Sequence, residues 1–217
     1  MLIYELQTYI KYFSSPNMNS MPKKGEYLDS ILRSSKTIFS TKDIALLWNE
    51  NDETVVTNRL RQYVRFGKLV RVRRGLYAKD AHYNRLELAT RINTPAYISF
   101  ETVLTNTGTN FQYYANIFIA SYVNREMTID GQTYTFIRMK EYVLTDTTGI
   151  EHKDGIAMAT RERAFLDRLY VNKDYYLDNV QSVDWNKVLE IMPIYHNKRL
   201  EKKVNAYYKQ YQKLTNS

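Results

Sequence analysis

The 217-residue sequence predicts an α+β protein. Three observations carry that expectation: apolar residues recur at helical spacing up to Phe66, a two-residue alternation takes over directly after Gly67, and a later region mixes helical stretches with strand-like runs around an Asp-Gly turn. At roughly 100–200 residues per domain, the length accommodates one large or two small domains, each able to bury a core. A hydrophobic fraction of 44% excludes disorder as the main state. The absence of cysteine excludes disulfides, zinc fingers, thiolate nucleophiles and iron-sulfur clusters, and suits a reducing cytoplasm. The opening MLIYELQTYIKYF carries Glu5 and Lys11 within its apolar part and lacks a small-residue cleavage pattern, so it reads as a poor signal peptide. No stretch is long and apolar enough to span a bilayer, and no membrane partner is expected.

Ile3, Leu6, Ile10 and Phe13 predict a short amphipathic helix over residues 2–13, followed by a linker at Ser14–Pro22. A helix from Lys24 to about Arg33 turns Tyr27, Ile31 and Leu32 inward. Thr37-Ile38-Phe39 is extended and hands over to a helix at residues 41–48, which Ser40 or Thr41 caps, with Asp43 in its first turn and Ile44, Leu47 and Trp48 inward. The next helix opens at Asn51 or Asp52, with Glu53 favoured at the positive end of the dipole, and Gly67 stops it after Phe66. Its inner face is Val56, Leu60, Tyr63 and Val64, and its outer face is Thr54, Thr57, Asn58, Arg61 and Arg65. Beyond it, Val70 and Val72 share one side of a strand while Leu69, Arg71 and Arg73 share the other. Arg74-Gly75 turns the chain and Leu76–Lys79 returns as a hairpin.

The charge is concentrated in that helix and hairpin. Arg59, Arg61, Arg65, Lys68, Arg71, Arg73, Arg74 and Lys79 are eight basic residues with no Asp or Glu among them, and removing them from the 31 leaves the rest neutral against its 23 acids. An acid-free cationic segment interleaved with Val, Leu, Tyr and Phe points to a polyanionic partner. It is not one amphipathic basic helix, because its period changes midway, so a lipid surface fits less well than nucleic acid.

Helix, turn, helix and basic hairpin is the order of a winged helix-turn-helix, here at residues 23–80 after an N-terminal helix and linker at residues 1–22. The helix from Asp52 to Phe66 would enter the major groove of double-stranded DNA with Thr54 and Thr57 beside the base readers Asn58 and Arg61, whose amide and guanidinium make paired hydrogen bonds to adenine and guanine. Arg59, Arg65, Lys68, Arg71, Arg73 and Arg74 would bind phosphates, Arg59 being the weakest candidate because its neighbour Leu60 points inward.

Residues 84–217 form a neutral, tyrosine-rich α+β domain. Helices are expected at residues 84–92, 101–106, 184–192 and 197–214, the last with Leu200, Val204, Tyr207, Tyr208 and Tyr211 down one side. Another helix is capped by Thr160 and buries Ala164, Phe165, Leu166 and Leu169. Strands are expected at residues 96–100, 117–123 and 156–159, and Asp130-Gly131 joins Met127–Ile129 to Thr133–Arg138. The 20 tyrosines, among them Tyr175-Tyr176 and Tyr207-Tyr208, read as core-rim residues rather than base-stacking platforms.

Beyond these patterns, Phe39-Ser-Thr-Lys-Asp-Ile-Ala-Leu-Leu-Trp48, the basic helix and Leu69-Val-Arg-Val-Arg-Arg-Gly-Leu-Tyr77 resemble the N-terminal winged helix of the AbiEi antitoxins of type IV toxin-antitoxin systems. Pro95-Ala-Tyr-Ile-Ser-Phe-Glu-Thr-Val-Leu104 and Ala159-Thr-Arg-Glu-Arg-Ala-Phe-Leu-Asp167 are similar to stretches of that family's second domain, so the resemblance runs from about Ser30 to Tyr170. It implies a transcriptional repressor that acts on its own promoter through the winged helix. Where two winged helices act together, as a homodimer or as cooperating monomers, inverted repeats about one helical turn apart, or a multiple, are expected. It also implies a second domain that counters a nucleotidyltransferase-like toxin, AbiEii, without an obligatory stable complex. The helix at residues 2–13 is extra to the family pattern.

Two other readings compete. One is a winged-helix-targeted nuclease-like enzyme built on Glu101, Glu141, Glu151, Asp154, Glu162 and Asp167, but no spacing places these acids on a shared face. Glu162, Arg163 and Asp167 fit capping and pairing around a structural helix better. His82, His152 and His196 have no partner at metal-ligand spacing, and seven glycines form no phosphate-cradling loop. No cofactor, metal or catalytic residue is therefore expected. The other reading is a stand-alone regulator whose C-terminal domain binds a protein.

Overall fold

The computed structural model describes residues 26–110, 112, 114–172 and 179–215. The helix expected at residues 2–13, the linker at residues 14–22 and Tyr175-Tyr176 lie outside the described residues. Helices and two β-sheets make the protein α+β. The described residues divide into two compact units, residues 26–35 with Phe39–Ala81, and Lys36–Ile38 with the described residues from His82 onward. Among the described residues, no helix is long and apolar enough to cross a membrane.

The first unit runs α1 (Glu26–Arg33), β1 (Ile38–Ser40), α2 (Thr41–Trp48), α3 (Glu53–Arg65), β2 (Val70–Arg73) and β3 (Leu76–Ala78), with the strands in the order β1-β3-β2. Ser40 and Asp43 close a reciprocal capping box on α2: the Asp43 amide donates to Ser40 Oγ at 3.0 Å, and the Ser40 amide donates to Asp43 Oδ2 at 2.8 Å. Asp52 Oδ1 accepts from the Thr54 and Val55 amides at 2.8 and 3.3 Å and starts α3. Tyr27, Ile31, Phe39, Ile44, Trp48, Val56, Leu60, Leu69 and Tyr77 form the core. Trp48 donates its indole N–H to the Tyr27 carbonyl at 2.7 Å, so its polar edge is satisfied inside that core. Each fully buried Ile or Leu contributes about 1.5–3 kcal/mol by leaving water.

Three expectations about this unit are corrected. Leu32 and Leu47 are 49% and 41% exposed. The buried stripes of these short helices are the i,i+4 pairs Tyr27/Ile31 and Ile44/Trp48, and a residue one step off such a stripe turns about 100° away from it. Leu69 does not share a strand face with Arg71. It precedes β2 and is buried, because the Lys68 and Leu69 amides both donate to the Tyr63 carbonyl and fold the chain back over α3. Finally, the hairpin register is Arg71 opposite Tyr77 and Arg73 opposite Leu76, with a shift between Arg71 and Arg73. Paired residues share a face and successive residues alternate, so this bulge sends Arg71 and Arg73 to opposite faces.

The second unit is built on a six-stranded mixed sheet of order β6-β7-β5-β4-β9-β8. Its elements are α4 (Arg85–Ile92), β4 (Tyr97–Ile98), α5 (Glu101–Asn106), β5 (Ile117–Ser121), β6 (Arg125–Ile129), β7 (Gln132–Arg138), α6 (Glu141–Leu144), β8 (Ile150–Lys153), β9 (Ile156–Ala159), α7 (Arg161–Val171), α8 (Trp185–Ile191) and α9 (Lys198–Thr215). α5, α8 and α9 pack on α7. Asp130-Gly131 and Asp154-Gly155 both adopt positive φ, at 47° and 75° and at 52° and 78°, and turn the hairpins β6-β7 and β8-β9.

Asp167 anchors this unit. Fully buried, it accepts hydrogen bonds from the hydroxyls of Ser99 and Tyr195 at 2.7 Å each and of Tyr97 at 3.0 Å, and pairs with buried Arg163 at 3.3 Å. Arg163 also donates to the carbonyls of Val143 at 2.6 Å and Thr148 at 2.7 Å. Burial pushes the Asp167 carboxyl above the usual carboxylate range, while the guanidinium and the three hydroxyls pull it back.

Candidate functional site

Residues one turn apart on α3 stack along a single line, so Thr57, Arg61 and Arg65 form a row beside Val64. Opposite this row, Arg71 and its register partner Tyr77 share a hairpin face, with Arg74 and Gly75 at the turn. The two rows line an open groove of about 480 Å³ together with Thr41 and Glu53. A second depression of about 260 Å³ continues along the first half of α3, lined by Glu53, Thr54, Thr57, Asn58 and Arg61. The two share Glu53, Thr57 and Arg61 and form one continuous surface.

Local structure fixes the hairpin against the helices. Gly75 adopts φ +79°, open to glycine and strained for other residues, and its carbonyl accepts from the Thr41 amide at 3.1 Å. That bond ties the hairpin turn to the first residue of α2. At the other end Gly67, at φ +64°, ends α3 and directs the chain into β2.

Four guanidiniums and one carboxylate line the groove. Among the described residues, Arg61, Arg65, Arg71 and Arg74 form no ion pair, and Arg61 donates only to Asn58 Oδ1, at 3.4 Å. Four cations lining one groove with a single carboxylate among them leave an excess of positive charge, so the surface gains most from a ligand that brings several negative charges. Hydroxyl, amide and guanidinium donors standing beside those cations can also address hydrogen-bond acceptors.

The structure brings Thr57, Arg61, Arg65, Arg71 and Arg74 into the groove, and Thr54 and Asn58 into its extension. Arg59, Lys68 and Arg73 line neither. Arg59 stacks on Tyr27, Lys68 is exposed beyond Gly67, and the bulge turns Arg73 to the other hairpin face. Lys79, counted in the cationic run, donates to the carbonyls of Leu32 and Ser34 and so neutralises the end of α1. Sequence reasoning missed Thr41, Tyr77 and Glu53 as lining residues. In the sequence the helix dipole accounts for Glu53, whereas both depressions place it outward with Thr57.

The acidic candidates of the second unit do not converge. Glu101 is buried and paired with Arg168 at 2.7 Å, Glu162 accepts from the Asp184 amide at 3.2 Å, Asp167 is enclosed in its network, and Glu141, Glu151 and Asp154 are exposed. Among the described residues no three His, Asp or Glu side chains are grouped to hold a metal ion. The chain matches no protein-family model and no curated protein.

Proposed function

We propose that the protein is a sequence-specific repressor that binds double-stranded DNA through the groove of its first unit, as an AbiEi-like antitoxin acting on its own promoter in the cytoplasm. The observation that carries this reading is the continuous cationic surface joining α3 to the β2-β3 hairpin. The element order α1-β1-α2-α3-β2-β3 and the strand order β1-β3-β2 support a winged helix-turn-helix, in which α3 enters the major groove and the hairpin follows the flanking backbone. At 1.5 Å per residue, the 13 residues of α3 extend over about 20 Å, enough to lie in a groove about 12 Å wide with the first turns against base edges.

In this reading Asn58 and Arg61 contact base edges, Arg65, Arg71 and Arg74 contact phosphates, and repression follows from occlusion of polymerase. Two copies acting together require half-sites about 34–36 Å apart, or a multiple of that spacing. The antitoxin assignment draws on the resemblance of the segments at residues 95–104 and 159–167. These supply Tyr97, Ser99, Arg163 and Asp167, which form one buried network, so both segments serve the architecture of the second unit.

The test is selection from a randomised duplex library followed by binding titrations at several salt concentrations. A fixed motif, a steep salt dependence, and loss of discrimination at one base in Arg61→Ala, costing about 1–3 kcal/mol, are expected. Equal, salt-insensitive affinity for selected and scrambled duplexes would sink the proposal. Co-expression with a nucleotidyltransferase encoded by the neighbouring gene tests the antitoxin half: rescue of growth is expected, and unrelieved toxicity counts against it.

A further inference from the structure

We propose that Glu53 selects a cytosine in the bound duplex by accepting a hydrogen bond from its N4 amino group. This inference rests on the duplex-binding reading above and names a sequence feature of the target. Glu53 is exposed, opens α3, and faces both depressions of the cationic surface together with Thr57 and Arg61. It is not needed as the cap. Asp52 bonds the Thr54 and Val55 amides, and the Asp52 amide in turn donates to Glu50 Oε1 at 3.0 Å. Among the described residues, the Glu53 carboxylate has neither a hydrogen-bond nor an ion-pair partner, although four guanidiniums line the same groove.

A carboxylate on a polyanion-binding surface is unfavourable wherever it meets phosphate, because like charges repel and an ionised carboxylate only accepts hydrogen bonds. Base edges in the major groove are mostly acceptors as well: guanine N7 and O6, adenine N7, and thymine O4. The donors are the exocyclic amino groups, and the carboxylate's established match is cytosine N4. An unpaired acceptor placed among donors therefore gives the surface a discriminating element: it accepts cytosine and penalises guanine or thymine at the same position.

Position sharpens the proposal. Glu53, Thr57 and Arg61 follow one another at i, i+4 and i+8 on a single line of α3. Eight residues rise about 12 Å, which spans between three and four base steps of about 3.4 Å each. The cytosine read by Glu53 belongs within about four base steps of the base read by Arg61. The favourable interaction of an acid with the helix dipole is compatible with this role and does not require the carboxylate to face the groove.

The experiment compares the full chain with Glu53→Ala and Glu53→Gln, each selected on the same randomised duplex library and titrated with the wild-type consensus and a scrambled duplex. One cytosine position becomes degenerate in Glu53→Ala and shifts toward adenine in Glu53→Gln, whose amide pairs with adenine N6 and N7, while all other positions keep their preference. Affinity of Glu53→Ala for the consensus falls about 5- to 150-fold, and its affinity for the scrambled duplex rises. If both variants keep the wild-type motif and Glu53→Ala binds every duplex more tightly, the carboxylate only repels backbone and the inference is overturned while the duplex-binding reading stands. A wild-type chain that selects no motif at all removes both. Glu53→Gln preserves side-chain size, so its base shift decides the matter should Glu53→Ala fail to fold.

Discussion

The guanidinium of Arg59 lies 3.5 Å from the centre of the Tyr27 ring, with the Trp48 ring 5.8 Å away. A cation over an aromatic face is attracted by the ring quadrupole, with about 0.5–1 kcal/mol gained at an exposed site. Arg59 thus joins α3 to α1 and contributes to holding the first unit together. Arg59→Ala should lower the urea midpoint of unfolding by an amount equivalent to about 1 kcal/mol while leaving the salt dependence of duplex binding unchanged. A reduced salt slope with unchanged stability would return Arg59 to the phosphate-binding set.

The bulge in the hairpin separates residues that strict alternation would group. Arg71 lies on the face of Tyr77 and lines the groove, whereas Arg73 is paired with Leu76 on the other face. Each phosphate contact removed should reduce the slope of log K against log salt by about 1. Arg71→Ala and Arg74→Ala should each show that loss, and Arg73→Ala a smaller one. Equal losses in all three variants would show that both faces of the hairpin meet backbone.

The residues explain which parts of this structure were legible. Ser40 with Asp43, and Asp52 with the Thr54 amide, are local capping relations written in consecutive positions, so helix starts were readable. Asp130-Gly131 was readable because its two positive φ angles demand that chemistry. The second Asp-Gly turn, at residues 154–155, was missed because its strand Ile150–Lys153 is mainly exposed and polar and carries no apolar alternation. The fate of Leu69, Arg71 and Arg73 depended on a one-residue register shift that periodicity does not encode. The groove itself was half-legible: α3 presented its row, but which arginines of the hairpin face that row is a property of strand pairing.

Buried Asp167 and Arg163 make a strong stability prediction for the second unit. Removing one member of a buried, hydrogen-bonded pair strands the other charge and costs about 3–5 kcal/mol. Asp167→Ala also leaves the hydroxyls of Ser99, Tyr97 and Tyr195 without their acceptor. Chemical denaturation should show a loss in that range for Asp167→Ala. The double variant Arg163→Met/Asp167→Leu should be more stable than Asp167→Ala, since it removes both charges while filling the space. If Asp167→Ala unfolded at the wild-type midpoint, the network would have no role in stability.

Glu101 supplies a pH-dependent prediction. Its side chain is 1% exposed, and its ionic partner among the described residues is Arg168 at 2.7 Å. Burial raises its carboxyl above the ordinary glutamate value, and Arg168 opposes part of that rise. The folded state consequently holds the proton at pH values where the unfolded chain, with an ordinary glutamate pKa of about 4.3, has released it. Stability from this group is highest below that value and declines as pH rises toward the higher folded value, because ionisation then favours the unfolded chain. Glu101→Gln cannot ionise, so its unfolding free energy should lack this decline. Relative to wild type, the variant should gain stability as pH is raised from about 4 through the carboxylate range. Denaturation midpoints for both proteins across that range provide the measurement. Parallel pH profiles would mean that Arg168 fully offsets the burial of Glu101.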